Sequence, residues 1–178
     1  MGRFELLEKA FHRFVPDQAY ETFAEKNKKW LEDYSLYMAI KNSLGGIAWS
    51  EWEAPLKTRQ EAALEEKRVE LKEQMDFICF QQYEFAKQWE KLKQYANEKG
   101  IQIIGDIPIY VAFDSADAWA NPELFQFDAE GQPEAVAGCP PDAFSATGQL
   151  WGNPLYRWER HKETGYAWWL ARMEYSFR

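Results

Sequence analysis

The stretch EFAKQWEKLKQYANEKGIQII, residues 84–104, decides the fold class, because a helical pattern, a glycine and a β-branched run follow one another directly. Four apolar side chains recur at helical spacing: Phe85, Trp89, Leu92 and Ala96. Gly100 is placed to end this helix in the left-handed conformation. Residues 101–104 then predict a buried strand. A helix, a glycine and a buried strand in succession are typical of an α/β fold with parallel strands.

The helical pattern extends upstream through Leu71, Met75 and Ile78, and we expect the apolar side chains of this long face to be core. The whole tract, residues 58–99, is too long for an ordinary globular helix, which predicts a break within residues 68–75. Thr58 and Glu61 have capping-box spacing, which predicts a helix start there.

A second long helix is predicted from Asp17 to Leu44, followed by the stop signal Gly45-Gly46. Residues 47–56 show no period and predict an ordered loop. Residues 1–100 are therefore predicted to be mainly helical, unlike residues 101–178.

Beyond residue 105 the sequence becomes rich in loops, and six of the eight prolines lie there. An excursion of this length, to about residue 157, is typical of a functional lid or an inserted subdomain. Within it, Asp114 or Ser115 is placed to cap a short helix. Helical patterning returns over residues 156–177.

Composition excludes several classes of function. The chain has 178 residues, 46% apolar side chains and a formal net charge of −8, which predicts a globular protein without a nucleic-acid partner. Residues 1–100 hold 16 basic and 18 acidic side chains, whereas residues 101–178 hold 5 and 11, so the second part suits neutral or cationic ligands. No leader pattern and no bilayer-length apolar run occurs, so we expect a cytoplasmic protein without a membrane partner.

Neither the cysteines nor the histidines form a recognisable reactive or metal-binding group. Cys79 and Cys139 are predicted to be free thiols, and His12 and His161 to be surface residues. No phosphate-binding glycine pattern is present. We therefore expect no metal and no cofactor.

The first candidate site is the motif GDIPIYV, residues 105–111. A carboxylate at the carboxyl end of a barrel strand faces the active side of the barrel, because the connecting loops converge there. Asp106 in this position either binds a ligand hydroxyl or orients a neighbouring group, or it only caps the following turn.

The second candidate site is the motif GCPPDAFSATGQLWGNP, residues 138–154. Two prolines stiffen its entry, and the large side chains of Phe144 and Trp151 suit stacking against the apolar faces of sugar rings. Three polar side chains are available to hydroxyl groups: Asp142, Gln149 and Asn153. The alternative is that Trp151 folds inward as the plug of a small satellite core.

At these motifs, and at DSADAW (114–119), VAGCPPD (136–142) and GYAWW (165–169), the sequence resembles the 4-α-glucanotransferases, also called amylomaltases. The likeness extends over the chain from about residue 20. It implies a partial (β/α)8 TIM barrel, with residues 1–100 as its helical part. Residues 101–178 would be a barrel strand, an inserted active-site loop region and a following helix. Ala143 departs from the pattern, since family members often carry an aromatic residue there.

The resemblance also implies substrates and roles. The partners would be α-1,4-glucans and maltooligosaccharides, cut and rejoined by a retaining mechanism. Trp151 would stack on acceptor sugar with Phe144 near it, while Asp106, Tyr110, Asp142 and Asn153 would complete the substrate-binding set.

No catalytic residue is expected in this chain, because the family's nucleophile Asp, acid/base Glu and third Asp belong to later sequence. Two alternatives remain: a fragment of an α-glucan hydrolase, and a noncatalytic glucan-binding protein.

Overall fold

The computed structural model describes residues 2–177, apart from the side chain of Arg3, and divides the chain into two compact units. The first unit comprises Met1–Ile47 and Ala54–Ile104, and the second comprises Ala48–Glu53 and Gly105–Arg178. Within the described residues the first unit is helical, and the second combines short helices with one small sheet.

The first unit is built around two long helices that pack on each other. Its elements are α1 (Arg3–Phe11), α2 (Gln18–Ser43), α3 (Ala54–Lys57), α4 (Glu61–Glu70) and α5 (Lys72–Glu98). Helix α2 contacts α5 along their buried faces, while α1 and α4 also contact α5. The Asp17 carboxylate accepts a hydrogen bond from the Tyr20 amide at 2.9 Å, so the predicted start of α2 is confirmed.

The helical tract 58–99 is interrupted as predicted, but the predicted helix start at Thr58 is wrong. Leu71 leaves the helical conformation between α4 and α5, which confirms the break. The Thr58 hydroxyl instead donates to the Ala54 carbonyl at 2.7 Å, closing the turn after α3. Arg59 has a positive φ of 55°, so no helix can run through it, and α4 begins at Glu61.

The apolar face of α5 is core near both of its ends but not in between, and Ala96 is buried as predicted. Ile78 is buried, whereas Phe85, Trp89 and Leu92 are exposed, which contradicts their prediction as core. The spacing was read correctly as helical, but periodicity does not show which element covers a face. No other element of the first unit's described residues covers this one.

The predicted buried strand at residues 101–104 does not form. Gly100 ends α5 with a φ of +74°, as predicted, but Ile104 is 92% exposed and the segment has no regular structure. A strand requires hydrogen bonds from a neighbour. None of the described residues pairs with this segment, so it cannot form a ladder.

The second unit contains α6 (Ala116–Ala120), β1 (Val136–Cys139), β2 (Gln149–Pro154), α7 (Trp158–Glu163) and α8 (Ala167–Ser176). Strands β1 and β2 pair antiparallel. Two 3-10 helices, Trp49–Glu51 and Pro122–Leu124, also belong here. Ser115 caps α6 by accepting from the Ala118 amide at 3.3 Å, as predicted.

Aromatic side chains dominate the core of this unit. Its buried members include Trp49, Trp52, Trp119, Phe125 and Tyr156. Residues 47–56, expected to be a loop, therefore contribute a 3-10 helix and two buried tryptophans to this unit, and they also contain the start of α3, which belongs to the first unit. The periodicity missed these short elements because each is only one turn long.

His161 was predicted to lie on the surface, and this is wrong. Its side chain is 0% exposed and lies against the rings of Tyr156, Trp158 and Trp168. Burial lowers its pKa below the ordinary value, an effect that the Leu124 carbonyl and Glu123 partly oppose. Neither ring nitrogen has a well-formed hydrogen bond to a described residue.

Among residues 2–177, no helix combines the length and apolar character needed to cross a bilayer. In the same range, no three His, Cys, Asp or Glu side chains lie together in a way that would hold a metal ion.

Candidate functional site

The loop that joins β1 to β2, residues 140–148, is closed by its own carboxylate. Asp142 Oδ1 accepts hydrogen bonds from the amides of Phe144 at 2.8 Å and Ser145 at 2.7 Å. The Asp142 amide in turn donates to the Ser145 carbonyl at 2.9 Å. One carboxylate oxygen of Asp142 is thus engaged in holding the loop, a role that the sequence did not predict.

The base of this loop requires glycine. Gly148 has a φ of +72°, and a Cβ there would lie 2.5 Å from the Cys139 carbonyl oxygen. The Ser145 hydroxyl donates to the Gly148 carbonyl at 2.7 Å, which closes the other side of the turn. The loop therefore leaves the hairpin with a defined conformation.

Phe144 stands at the tip of the loop and is 97% exposed. Since the backbone on both sides of it is fixed by Asp142 and Ser145, this apolar ring is displayed to solvent by a structured loop. The loop therefore holds one large apolar ring at a defined place on the surface.

Trp151 lies at an irregularity of the hairpin. Gly138 pairs with Leu150 and Val136 pairs with Pro154, so Ala137 alone lies opposite residues 151–153. Extra residues of this kind bend a strand and redirect its side chains. Trp151 is 48% exposed, and its indole N–H donates to Gln149 Oε1 at 2.9 Å. The alternative in which Trp151 plugs a satellite core is therefore wrong.

Tyr110 lies between Trp151 and the buried Tyr156. Its ring stacks on Tyr156 at 5.8 Å with an interplanar angle of 11°, and it meets Trp151 at 6.3 Å and 54°. The structure thus brings together two of the predicted site residues, Tyr110 and Trp151, and supports them on a third ring. We name this row of Trp151, Tyr110 and Tyr156 the aromatic row.

Asn153 and Asp106 occupy different environments. The Asn153 amide nitrogen donates to the Val111 carbonyl at 2.8 Å, so this group ties β2 to the segment that carries Tyr110. Asp106 is exposed, and its carboxylate makes no hydrogen bond or ion pair within residues 2–177. Asp106 is therefore available to a ligand, whereas the Asn153 amide nitrogen already has an internal partner.

Sequence reasoning missed Tyr156 and Arg172. The Tyr156 hydroxyl donates to the Ile109 carbonyl at 2.8 Å, and Arg172 donates to the Pro108 carbonyl at 2.8 Å. Burial raises the pKa of Tyr156, and the nearby Arg172 charge partly opposes this effect. Neither contact has a local sequence signal, because the partners are separated by 47 and 64 residues.

Three comparisons with known proteins point to the same family. A family model described as 4-alpha-glucanotransferase matches residues 2–178. A 4-alpha-glucanotransferase of Aquifex aeolicus is 49% identical over 174 residues, which are 98% of this chain and 36% of the relative. A chloroplastic/amyloplastic 4-alpha-glucanotransferase of Solanum tuberosum is 49% identical over 145 residues, 82% of this chain and 25% of the relative.

A solved structure is also similar. Amylomaltase from Streptococcus agalactiae in complex with acarbose superposes with a TM-score of 0.90 at 45% identity, covering 97% of this chain and 36% of that one. The chain thus spans about a third of the length of these bacterial relatives.

Proposed function

Because this chain belongs to the 4-alpha-glucanotransferase family, we propose that it is part of an enzyme that transfers α-1,4-glucan segments to the 4-hydroxyl of an acceptor glucan or glucose. Its substrates are α-1,4-glucans and maltooligosaccharides, and its location is the cytoplasm. No cofactor takes part. The single observation that carries the proposal is the half-exposed Trp151, fixed at the hairpin irregularity beside Tyr110.

The proposed fold of the whole enzyme is a (β/α)8 barrel. Two surfaces of the first unit support this: the exposed apolar side chains on α5, and the exposed isoleucines of residues 101–104. Both patterns suit burial against further strands and helices, and in the barrel residues 101–104 would be a strand between two neighbours.

The proposed reaction is a double displacement that retains the anomeric configuration. In the first step an Asp carboxylate outside this chain attacks the anomeric carbon, while an acid protonates the departing 4-oxygen. In the second step the 4-hydroxyl of the acceptor attacks the same carbon and releases the Asp. The hydroxyl proton passes to the conjugate base of the acid that acted in the first step. Every atom of the glucan is conserved, and water is replaced by a sugar.

The loop of residues 140–148 has a physical purpose in that reaction. Transfer outcompetes hydrolysis only if the acceptor is well placed and water is kept from the covalent intermediate. Trp151 and Phe144 offer apolar surface for sugar rings, and the exposed carboxylate of Asp106 offers acceptors for hydroxyl groups. The aromatic row would orient the acceptor, and the loop would cover it.

Binding by the chain tests the substrate class directly. Isothermal titration with maltoheptaose should show binding that Trp151→Ala weakens about 5- to 150-fold, the effect of losing one well-packed aromatic contact of about 1–3 kcal/mol. Trp89→Ala is the matched control, because Trp89 on α5 is 44% exposed, close to the 48% of Trp151, but lies in the other unit. Equal effects of the two substitutions would contradict a specific role for Trp151.

A chimaera tests the reaction. The chain would replace the equivalent third of the Streptococcus agalactiae amylomaltase, to which it is 45% identical. Maltotriose should then yield both glucose and oligosaccharides longer than the substrate. Glucose without longer products would identify a hydrolase, and binding without any turnover would favour a noncatalytic glucan-binding protein.

A further inference from the structure

The segment of residues 105–111 is held by side chains instead of a backbone ladder. It contains no helix or strand, yet three of its carbonyls accept side-chain hydrogen bonds at 2.8 Å each. The donors are the Arg172 guanidinium to Pro108, the Tyr156 hydroxyl to Ile109 and the Asn153 amide to Val111. This segment carries Asp106 and Tyr110, so its conformation determines where both side chains lie.

Arg172 is itself fixed by two tryptophans. Its guanidinium carbon lies 4.6 Å from the ring centroid of Trp168 and 4.8 Å from that of Trp169. The two rings are nearly perpendicular, at 87°, so they meet the cation from two directions. The Trp168 indole N–H donates to Asp117 Oδ1 at 3.1 Å, which anchors that ring in turn.

This arrangement suits arginine and not lysine. A guanidinium is planar, is weakly hydrated, stacks on aromatic faces and donates from its edge at the same time. An ammonium at the end of a flexible chain cannot stack and donate in one fixed geometry. The contact with Pro108 therefore depends on the shape of the side chain as well as on its charge.

We propose that Arg172 is a positioning residue for glucan binding. It binds the Pro108 carbonyl and so fixes the backbone two residues before Tyr110. The Tyr110 ring is thereby kept stacked on Tyr156 and beside Trp151. Arg172 acts through the segment 105–111 and does not itself contact sugar. This inference depends on the proposed function, in which Tyr110 and Trp151 bind the glucan.

The test compares three variants of the 178-residue chain: Arg172→Gln, Arg172→Lys and Arg160→Gln. Arg160 is the matched control, because it is an arginine of the same unit whose guanidinium bonds at 2.6 Å to exposed Glu163 only one turn away on the surface. The dissociation constant for maltoheptaose is measured by titration, and NMR order parameters are measured for the backbone amides of residues 106–111, Pro108 excepted. Urea unfolding gives the folded fraction of each variant.

We expect Arg172→Gln to weaken binding roughly 5- to 50-fold and to lower the order parameters of residues 106–111, since a charge-assisted hydrogen bond to the Pro108 carbonyl is lost. Arg172→Lys should restore little of the binding, and Arg160→Gln should match the unsubstituted chain. Unchanged affinity in Arg172→Gln would overturn the proposal. So would a loss of binding no greater than the loss of folded protein, or full rescue by lysine.

The outcome separates this inference from the proposed function. If the unsubstituted chain binds maltoheptaose and Arg172→Gln binds it equally well, the positioning role fails and the proposed function stands. If the unsubstituted chain binds no glucan, the proposed function fails. In that case the order parameters of residues 106–111 still decide whether Arg172 fixes the segment, because unchanged values in Arg172→Gln would show that it does not.

Discussion

Gly148→Ala should destabilise the second unit far more than a similar substitution four residues away. At Gly148 the backbone has a φ of +72°, and an added Cβ would lie 2.5 Å from the Cys139 carbonyl oxygen and 3.1 Å from Pro140 C and Pro141 N. All three atoms belong to the backbone. No side chain can move aside to relieve the contact, and the two prolines restrict how the backbone itself can shift.

The magnitude follows from two separate costs. An alanine in the left-handed region costs about 1–2 kcal/mol, and forcing a methyl group into a packed site costs about 1–3 kcal/mol more. Gly152 supplies the control, because its φ is +78° but a Cβ there meets nothing within 4 Å. Gly152→Ala should therefore cost only about 1–2 kcal/mol, and Gly148→Ala about 2–5 kcal/mol.

Urea unfolding followed by tryptophan fluorescence measures this difference, because seven of the nine tryptophans lie in the second unit. Maltoheptaose affinity should fall with Gly148→Ala as well, since the base of the loop that carries Phe144 is distorted. Equal losses of unfolding free energy for the two alanine variants, with equal affinities, would refute the steric argument.

Three further predictions concern the second unit. Because burial holds the pKa of His161 below its ordinary 6.5, its contribution to stability is complete above pH 6.5. Below that pH the unfolding free energy should fall by up to about 1.4 kcal/mol per pH unit, until the folded state itself binds the proton. Denaturant titrations at several pH values should show this slope for the parent chain and for His12→Leu, and a slope that persists in His161→Leu would contradict it. Ser115→Ala should lower the unfolding free energy by about 1 kcal/mol through loss of the α6 cap, and Ser115→Asp should restore it. An unchanged unfolding free energy in Ser115→Ala would show that the cap does not stabilise the unit. Asp142→Ala should speed proteolysis within residues 140–148 and weaken maltoheptaose binding, because two loop amides lose their acceptor; unaltered cleavage would mean that the prolines alone order the loop.

Elements set by local interactions were predicted well. The start of α2 at the Asp17 cap, the break near Leu71 and the end of α5 at Gly100 all agree with the structure. Each involves hydrogen bonds or backbone preferences among residues at most a few positions apart, which a sequence displays directly. Thr58 failed at the same scale, because its hydroxyl bonds back to the preceding turn and competes with the capping role.

The candidate site contains residues that the sequence motifs named and contacts that the motifs did not reveal. The motifs of residues 105–111 and 138–154 identified Tyr110 and Trp151, which the structure places side by side. They did not reveal that Asp142 holds its own loop, that the Asn153 amide is bonded to Val111, or that Tyr156 supports Tyr110. Residue type shows what a side chain can bind, but the nearest partner decides what it does bind.

The sequence by itself determined where helices begin and end, which loop is stiff, and which family the motifs resemble, because these depend on neighbours along the chain. Only the tertiary structure decided that His161 is buried, that Ile104 is exposed and that Arg172 reaches Pro108. Burial and long-range hydrogen bonds depend on which distant segments pack against a residue. The apolar periodicity of a segment does not show which other segment will pack against it.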